Sequence, residues 1–241
     1  MRRLLLAVLA LIFICLSCEN KKVEQIKVNV PKGITVPEEM VYIPSGDFIM
    51  GHPKEPETKK GERVTLEAFF IDRFEVTRKQ YNAFNPAHMF NQKKAQFPVS
   101  MVTFQQGQDY CRWKNKRLPT ESEWEKSARG TDGRKWPWKI YYEHPNNGFS
   151  GFLPEVVDKR NEWVSPYGVY GMGYNVWEWT SDWYDSGKSL KIDRKRYKVI
   201  RGGLTQTHTM VKFTPTYFRN KMEPKLYFNF IGFRCACSVD C

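Results

Sequence analysis

Lys116-Arg117-Leu118-Pro119-Thr120-Glu121-Ser122-Glu123-Trp124-Glu125 is the stretch from which the rest of this chain can be read. Thr120 stands three residues ahead of Glu123, the spacing at which a threonine hydroxyl and a glutamate side chain satisfy each other's free backbone amides at a helix start. The spacing predicts a helix from about Glu121, with Trp124 and Ala128 facing inward and Gly130 ending it. Upstream, Thr103 can cap a second helix running to about Lys114, with Phe104, Tyr110, Cys111 and Trp113 as its apolar positions, although Gly107 weakens it. Further upstream, Met40-Val41-Tyr42-Ile43 and Phe48-Ile49-Met50-Gly51 flank Pro44-Ser45-Gly46-Asp47, which reads as a first hairpin, and Val64 to Asp72 reads as another strand. Long stretches rich in Gly, Pro, Asn and Trp fill the remainder. The class is α+β with much loop.

Of 241 residues, 41% are hydrophobic and 15% aromatic, ample for a buried core and incompatible with a wholly disordered chain. Arg2 and Arg3 precede an apolar run, Leu4 to Leu16, whose length is that of a signal-peptide h-region and too short for a membrane span. The run closes on Cys15-Leu16-Ser17-Cys18 and a polar stretch follows, the pattern of a bacterial lipobox with Cys18 as the lipidated first residue. The alternative is ordinary cleavage with Cys18 a bystander. Residues 1–17 are thus expected to be a lipoprotein signal peptide, 18–37 a polar tether ending in prolines, and 38–241 a folded domain. Export to the cell envelope, anchored on the periplasmic or surface face of a membrane, removes nucleic acid as a partner despite a net charge of +12. The charge then faces anionic lipid, an anionic glycan or an acidic envelope protein. Its densest run, Lys188 to Lys198, holds six basic residues against one Asp and, with no aromatic interleaving beyond Tyr197, reads first as a solvated loop or strand edge.

From residue 40 to 236 a series of motifs comes in one order. They are Met40 to Gly51; Phe70-Ile71-Asp72-Arg73-Phe74-Glu75-Val76-Thr77 with Gln80-Tyr81; Pro98-Val99; Tyr110-Cys111-Arg112-Trp113; Lys116 to Glu125; Trp136-Pro137-Trp138; Asn175-Val176-Trp177-Glu178-Trp179 with Asp182-Trp183-Tyr184; Arg201-Gly202-Gly203; and Gly232-Phe233-Arg234-Cys235-Ala236. Each is weak alone, but in sequence they are highly specific, and together they resemble the formylglycine-generating enzyme (sulfatase-modifying factor) family. The resemblance implies a loop-rich formylglycine-generating-enzyme fold related to C-type lectin architecture. It does not settle function, because such domains also occur in non-enzymatic lipoproteins.

In the family a substrate cysteine is oxidised to formylglycine with a copper ion held by two cysteines, the first four residues past the second glycine and the next five further on. Carried over, those positions are Thr207 and Lys212, and neither supplies the soft thiolate that copper(I) demands. His208 is adjacent, but one imidazole beside a lysine is not a metal site. No cysteine lies between Cys111 and Cys235, so a small slip of alignment cannot restore the pair. No catalytic residue is assigned and copper is not expected. The family's helix cysteine bonds that of Gly-Phe-Arg-Cys, which implies Cys111 with Cys235 and leaves Cys237 and Cys241 to form a small terminal loop. Four cysteines allow three connectivities, and a zinc site from Cys235, Cys237 and Cys241 with a histidine is the competing arrangement. The resemblance also implies a structural calcium held by Glu178 and the carbonyls of Gly173, Tyr174 and Val176, with Asn146 and Asn147 at the family's other calcium site. Tyr174 stands where the family has glycine, and Gly171 where it usually has Asp or Asn. The alternative is that Glu178 accepts hydrogen bonds in a core of Trp163, Trp177, Trp179 and Trp183. The expected role is non-catalytic binding or scaffolding at the envelope; the alternative is a formylglycine-generating oxidase or another activity on the same fold.

Overall fold

The computed structural model describes residues 25–55, 60–138, 154–185, 196–206 and 211–241, with backbone alone for residues 205, 206 and 211–213. Three helices, α1 (Arg78–Phe84), α2 (Phe104–Trp113) and α3 (Glu121–Arg129), begin in the same way. Thr77, Thr103 and Thr120 each accept the amide of the residue three on, and the side chain of Gln80, Gln106 or Glu123 returns to the threonine's own N–H. Each reciprocal cap satisfies two of the amides a helix leaves free, which lets helices of 7 to 10 residues hold their first turns. The box at Thr77 makes α1 legible as well.

Strands β1 (Met40–Ile43), β4 (Phe69–Asp72) and β11 (Ala236–Ser238) form one antiparallel sheet in the order β1-β4-β11, with Val41 opposite Ile71 and Ile71 opposite Ala236. A second sheet runs β10 (Ile231–Gly232), β5 (Trp177–Trp183), β6 (Lys198–Gly202), β9 (Arg219–Met222), with β10 parallel to β5. Two hairpins complete the described set: β2 (Gly46–Gly51) with β3 (Lys60–Leu66), and β7 (Leu204–Gln206) with β8 (Val211–Phe213). The first hairpin expected from sequence does not form. β1 and β2 belong to different sheets, because Lys126 Nζ donates to the carbonyls of Pro44 (2.7 Å) and Gly46 (2.8 Å) and makes the turn between them a corner. The single strand expected over residues 64–72 is likewise two, β3 and β4, broken at Glu67 and Ala68.

The core divides between two main clusters. Tyr81, Tyr110, Trp177, Trp179 and Phe233 pack around the Cys111–Cys235 disulfide, while Ile43, Ile71, Trp124, Ala128, Met172 and Ala236 fill the space between α3 and the first sheet. Trp113, expected to face inward, is 48% exposed and carries Lys114 Nζ 4.9 Å from its ring centroid. It lies two residues past Cys111, about 200° further round a helix, and so on the opposite side. Trp183 also departs from the expected indole core, at 39% exposed.

Cys237 is bonded to Cys241, so all four cysteines among the described residues are disulfide-linked and the zinc arrangement is not formed. The Cys111–Cys235 bond spans 124 residues and joins α2 to the C-terminal segment. In the chain-entropy description a closure of that length contributes about 4 to 5 kcal/mol. Cys111→Ser should lower stability by about 2 to 5 kcal/mol in chemical denaturation; an unchanged midpoint would mean the bond contributes nothing to the fold.

Candidate functional site

Glu178 lies on β5 and Arg234 between β10 and β11, and both side chains are fully buried. Arg234 Nε and Nη2 reach the two Glu178 oxygens at 2.7 Å each. Its remaining donors go to the carbonyls of Tyr170 (2.7 Å), Asp72 (3.2 Å) and Arg73 (3.3 Å), so all five guanidinium N–H groups are used. Trp124 of α3 donates its indole N–H to Glu178 Oε2 at 2.9 Å. The indole that serves Glu178 is therefore Trp124, because Trp177 and Trp179 donate instead to the carbonyls of Leu204 and Val102.

This arrangement bears on the calcium ligands. Glu178 is spent on a cation the chain itself supplies, and the Gly173 carbonyl accepts the Thr214 amide at 3.0 Å. A divalent ion there would sit beside a buried guanidinium, so the residues as arranged do not fit it. Asn146 and Asn147 lie outside the described residues, and no cluster of three His, Cys, Asp or Glu able to hold a metal occurs among those described.

Glu75 adjoins this cluster. It is 1% exposed and neither oxygen has a hydrogen-bond partner; Asn175 is nearby, but its amide is committed to the Glu155 backbone. Gly171, with φ of +78°, presses its bare Cα against the carboxyl group; an added Cβ would come within 2.5 Å of it. An Asp or Asn at that position is thereby excluded, which accounts for the glycine found there. Burial drives the Glu75 carboxyl up to about 8, with the Arg234 charge opposing the rise and Glu178 adding to it.

Arg201-Gly202-Gly203 closes β6 above the same region. Arg201 Nη1 and Nη2 bind Glu121 (2.9 Å) and Glu125 (2.6 Å) of α3, and Nη2 also reaches the Thr216 carbonyl (2.6 Å). Gly203 has φ of +71°, and a Cβ there would lie 2.6 Å from the Trp177 ring. The turn leads into the β7–β8 hairpin, in which Thr205 pairs with Lys212. Lys212 is known here by its backbone alone, and Thr207 and His208 lie outside the described residues, as does Cys18. Every described cysteine is in a disulfide, and none is near Gly203 in sequence.

The two sheets, the reciprocally capped helices and the Arg234–Glu178 and Arg201–Gly202–Gly203 elements define a formylglycine-generating-enzyme type of domain. Residues 27–239 match the sulfatase-modifying factor enzyme 1-like domain, and the chain belongs to that family. It is 27% identical to the uncharacterized protein YfmG of Bacillus subtilis over 83% of this chain, and spans 54% of that protein's length. It is 30% identical to the inactive C-alpha-formylglycine-generating enzyme 2 of Bos taurus, covering 82% of this chain and 87% of that one. Against the formylglycine-generating enzyme of the same organism the identity is 27%, with 83% and 75% covered. Among solved structures, Treponema denticola variable protein 1 superposes with a TM-score of 0.62 at 23% identity, over 83% of this chain and 94% of that one.

Sequence reading found Glu178 and the Arg201-Gly202-Gly203 turn but gave Glu75, Glu121, Glu125 and Trp124 no part in the site. Two predictions follow from the geometry. A carboxyl whose folded pKa is raised binds an extra proton in the fold between the ordinary value and about 8, so its contribution to stability falls as pH climbs through that window. Glu75→Gln cannot ionise and should gain on wild type in melting temperature from about pH 5 to about pH 8; parallel curves would show that Glu75 titrates normally. A chelator should shift the melting temperatures of wild type and Glu178→Gln equally, and a larger shift in wild type would demand a metal at Glu178.

Proposed function

We propose that this chain is an envelope lipoprotein in which a formylglycine-generating-enzyme type of domain serves as a non-catalytic binding or scaffold module. The observation that carries the reading is the thiol inventory. Copper(I) needs a pair of thiolates after the double glycine, and this chain has Thr207 and Lys212 there and no cysteine from 112 to 234. Thr207 supplies a neutral hydroxyl, and Lys212 a cation that repels metal. Identity to relatives does not decide the matter, since the one named inactive and the one named for the activity differ by only a few per cent.

The anchor is supported by the charged start, the apolar run from Leu4 to Leu16 and Ser17-Cys18, followed by a polar tether to residue 37. Lipidation at Cys18 would hold the domain near a membrane, with an envelope protein or anionic glycan as its partner and no role for nucleic acid. The described residues contain no helix long and apolar enough to cross a membrane.

Two measurements test this. Wild type should partition with membranes and Cys18→Ala should be released or stall in processing; a soluble, unmodified wild-type chain would refute the anchor. Incubated with copper, oxygen and a Cys-x-Pro-x-Arg peptide, the protein should leave the peptide cysteine unchanged. Hydrazide capture of an aldehyde would establish the oxidase instead.

A further inference from the structure

A cavity of about 500 Å³ opens away from the β6–β7 turn, between the segment entering β1, the stretch joining β4 to α1, and the end of α2. Among the described side chains, none of β6 lines it, and neither does Leu204 of β7. Its volume is that of a small-molecule site. Five carboxylates, from Glu38, Glu39, Asp72, Glu75 and Asp158, face two ammonium groups, Lys114 and Lys116. One of those ammoniums is neutralised internally: Lys116 Nζ lies 2.6 Å from Asp72 Oδ1, while the Cys235 amide takes Oδ2 at 2.8 Å. Lys114 keeps its charge, with Nζ 4.9 Å from the Trp113 ring centroid, against three acids that have no cation of their own among the described residues. What remains is an anionic mouth of Glu38, Glu39 and Asp158 in a chain whose net charge is +12.

The mouth is built. Glu39 adopts φ of +59°, costly for a residue other than glycine, and is held there by the Arg73 amide on its carbonyl (2.8 Å) and by Gln80 Nε2 on Oε2 (3.1 Å). Glu75, with two buried oxygens that meet no donor, belongs to the wall below, and Phe74, Val76 and Val157 line the apolar part. Burial pushes both Asp72 and Glu75 above the ordinary carboxylate range, a mark of functional clefts. The ligand should therefore bring donors, positive charge and an apolar stem. Among the described residues no three His, Cys, Asp or Glu side chains converge closely enough to hold a metal ion, so the negative charge is spread along a rim. A spread rim suits an elongated organic cation better than a point ion.

We propose that this cavity binds an alkylammonium group, its ammonium at the rim that Glu38, Glu39 and Asp158 form and its methylenes along Phe74, Val76 and Val157. An ammonium has donors and no acceptors, and its stem packs on apolar surface while the head stays with the carboxylates. A free polyamine and a lysine side chain of a peptide share this chemistry. The site is independent of the anchor and of the oxidase question, so either of those tests can fail without touching it.

The test is calorimetric titration of the full chain with spermidine and, separately, with a lysine-containing tetrapeptide and its ε-acetylated twin. Saturable one-to-one binding of spermidine alone identifies a free amine as the ligand; binding of the lysine peptide, lost on acetylation, identifies a peptide. Glu38→Gln with Glu39→Gln and Asp158→Asn should weaken the bound amine at least about tenfold. Gln96→Trp, which narrows the mouth without altering charge, should do the same, with melting curves confirming that both variants fold. The proposal is overturned if neither amine binds saturably, if both variants bind as wild type does, or if calcium binds stoichiometrically and displaces the amine.

Discussion

One guanidinium organises this molecule. Arg234 ties β5 through Glu178, the end of β4 through Asp72 and Arg73, and the loop at Tyr170, and through Glu178 it reaches Trp124 on α3. Taking such an ion from water is expensive, and mutual attraction offsets the cost only when every donor and acceptor is satisfied. Here all five donors are. Removing one partner of such a pair costs about 3 to 5 kcal/mol, because the other is left buried and alone. The pairing positions segments that share little secondary structure, which matters in a fold made of short strands and long loops.

The same logic recurs around α3. Glu121, Glu125, Lys126 and Arg129 are buried on a nine-residue helix that a simple apolar-face rule would leave half exposed. Arg129 Nη1 binds Glu125 Oε1 at 2.7 Å and the Gly51 carbonyl at 2.8 Å, and the Gly51 amide donates to Glu125 Oε1 at 2.7 Å. α3 is thus wrapped by backbone from β2 and by arginines from β6 and β9, the latter through Arg219 on Glu121 (2.8 Å). Its charges act as connectors between loops. That use of charge consumes acids which in isolation look like candidates for chemistry.

What sequence made legible follows from range. Helix starts are local devices, and the Thr120–Glu123 box and the Thr103 cap were readable because their partners lie three residues apart. The equivalent box at Thr77 carries the same signal. Strand pairing is non-local: Met40–Ile43 and Phe48–Gly51 look like a hairpin until Lys126, some eighty residues on, fixes the corner between them. The motif order gave the family, and with it the Cys111–Cys235 bond. It could not show that Glu178 answers to Arg234 and Trp124, nor that Gly171 makes room for a buried Glu75, because those contacts join positions separated by 54 to 96 residues.

The placement of Arg234, Cys235 and β11 after the elements they touch bears on how the domain is made. The neighbour that covers β4 on its β11 side, the partner of Cys111 and the counter-ion of Glu178 all belong to residues 234–238. A ribosome delivers those residues after the elements they hold together. The nascent domain must therefore wait, with Glu178 lacking its guanidinium and α2 lacking its tie, until residues 234–238 emerge. Until they are in place, β4 lacks its β11 neighbour, Cys111 its disulfide partner and Glu178 its counter-ion, so three separate segments depend on one short stretch.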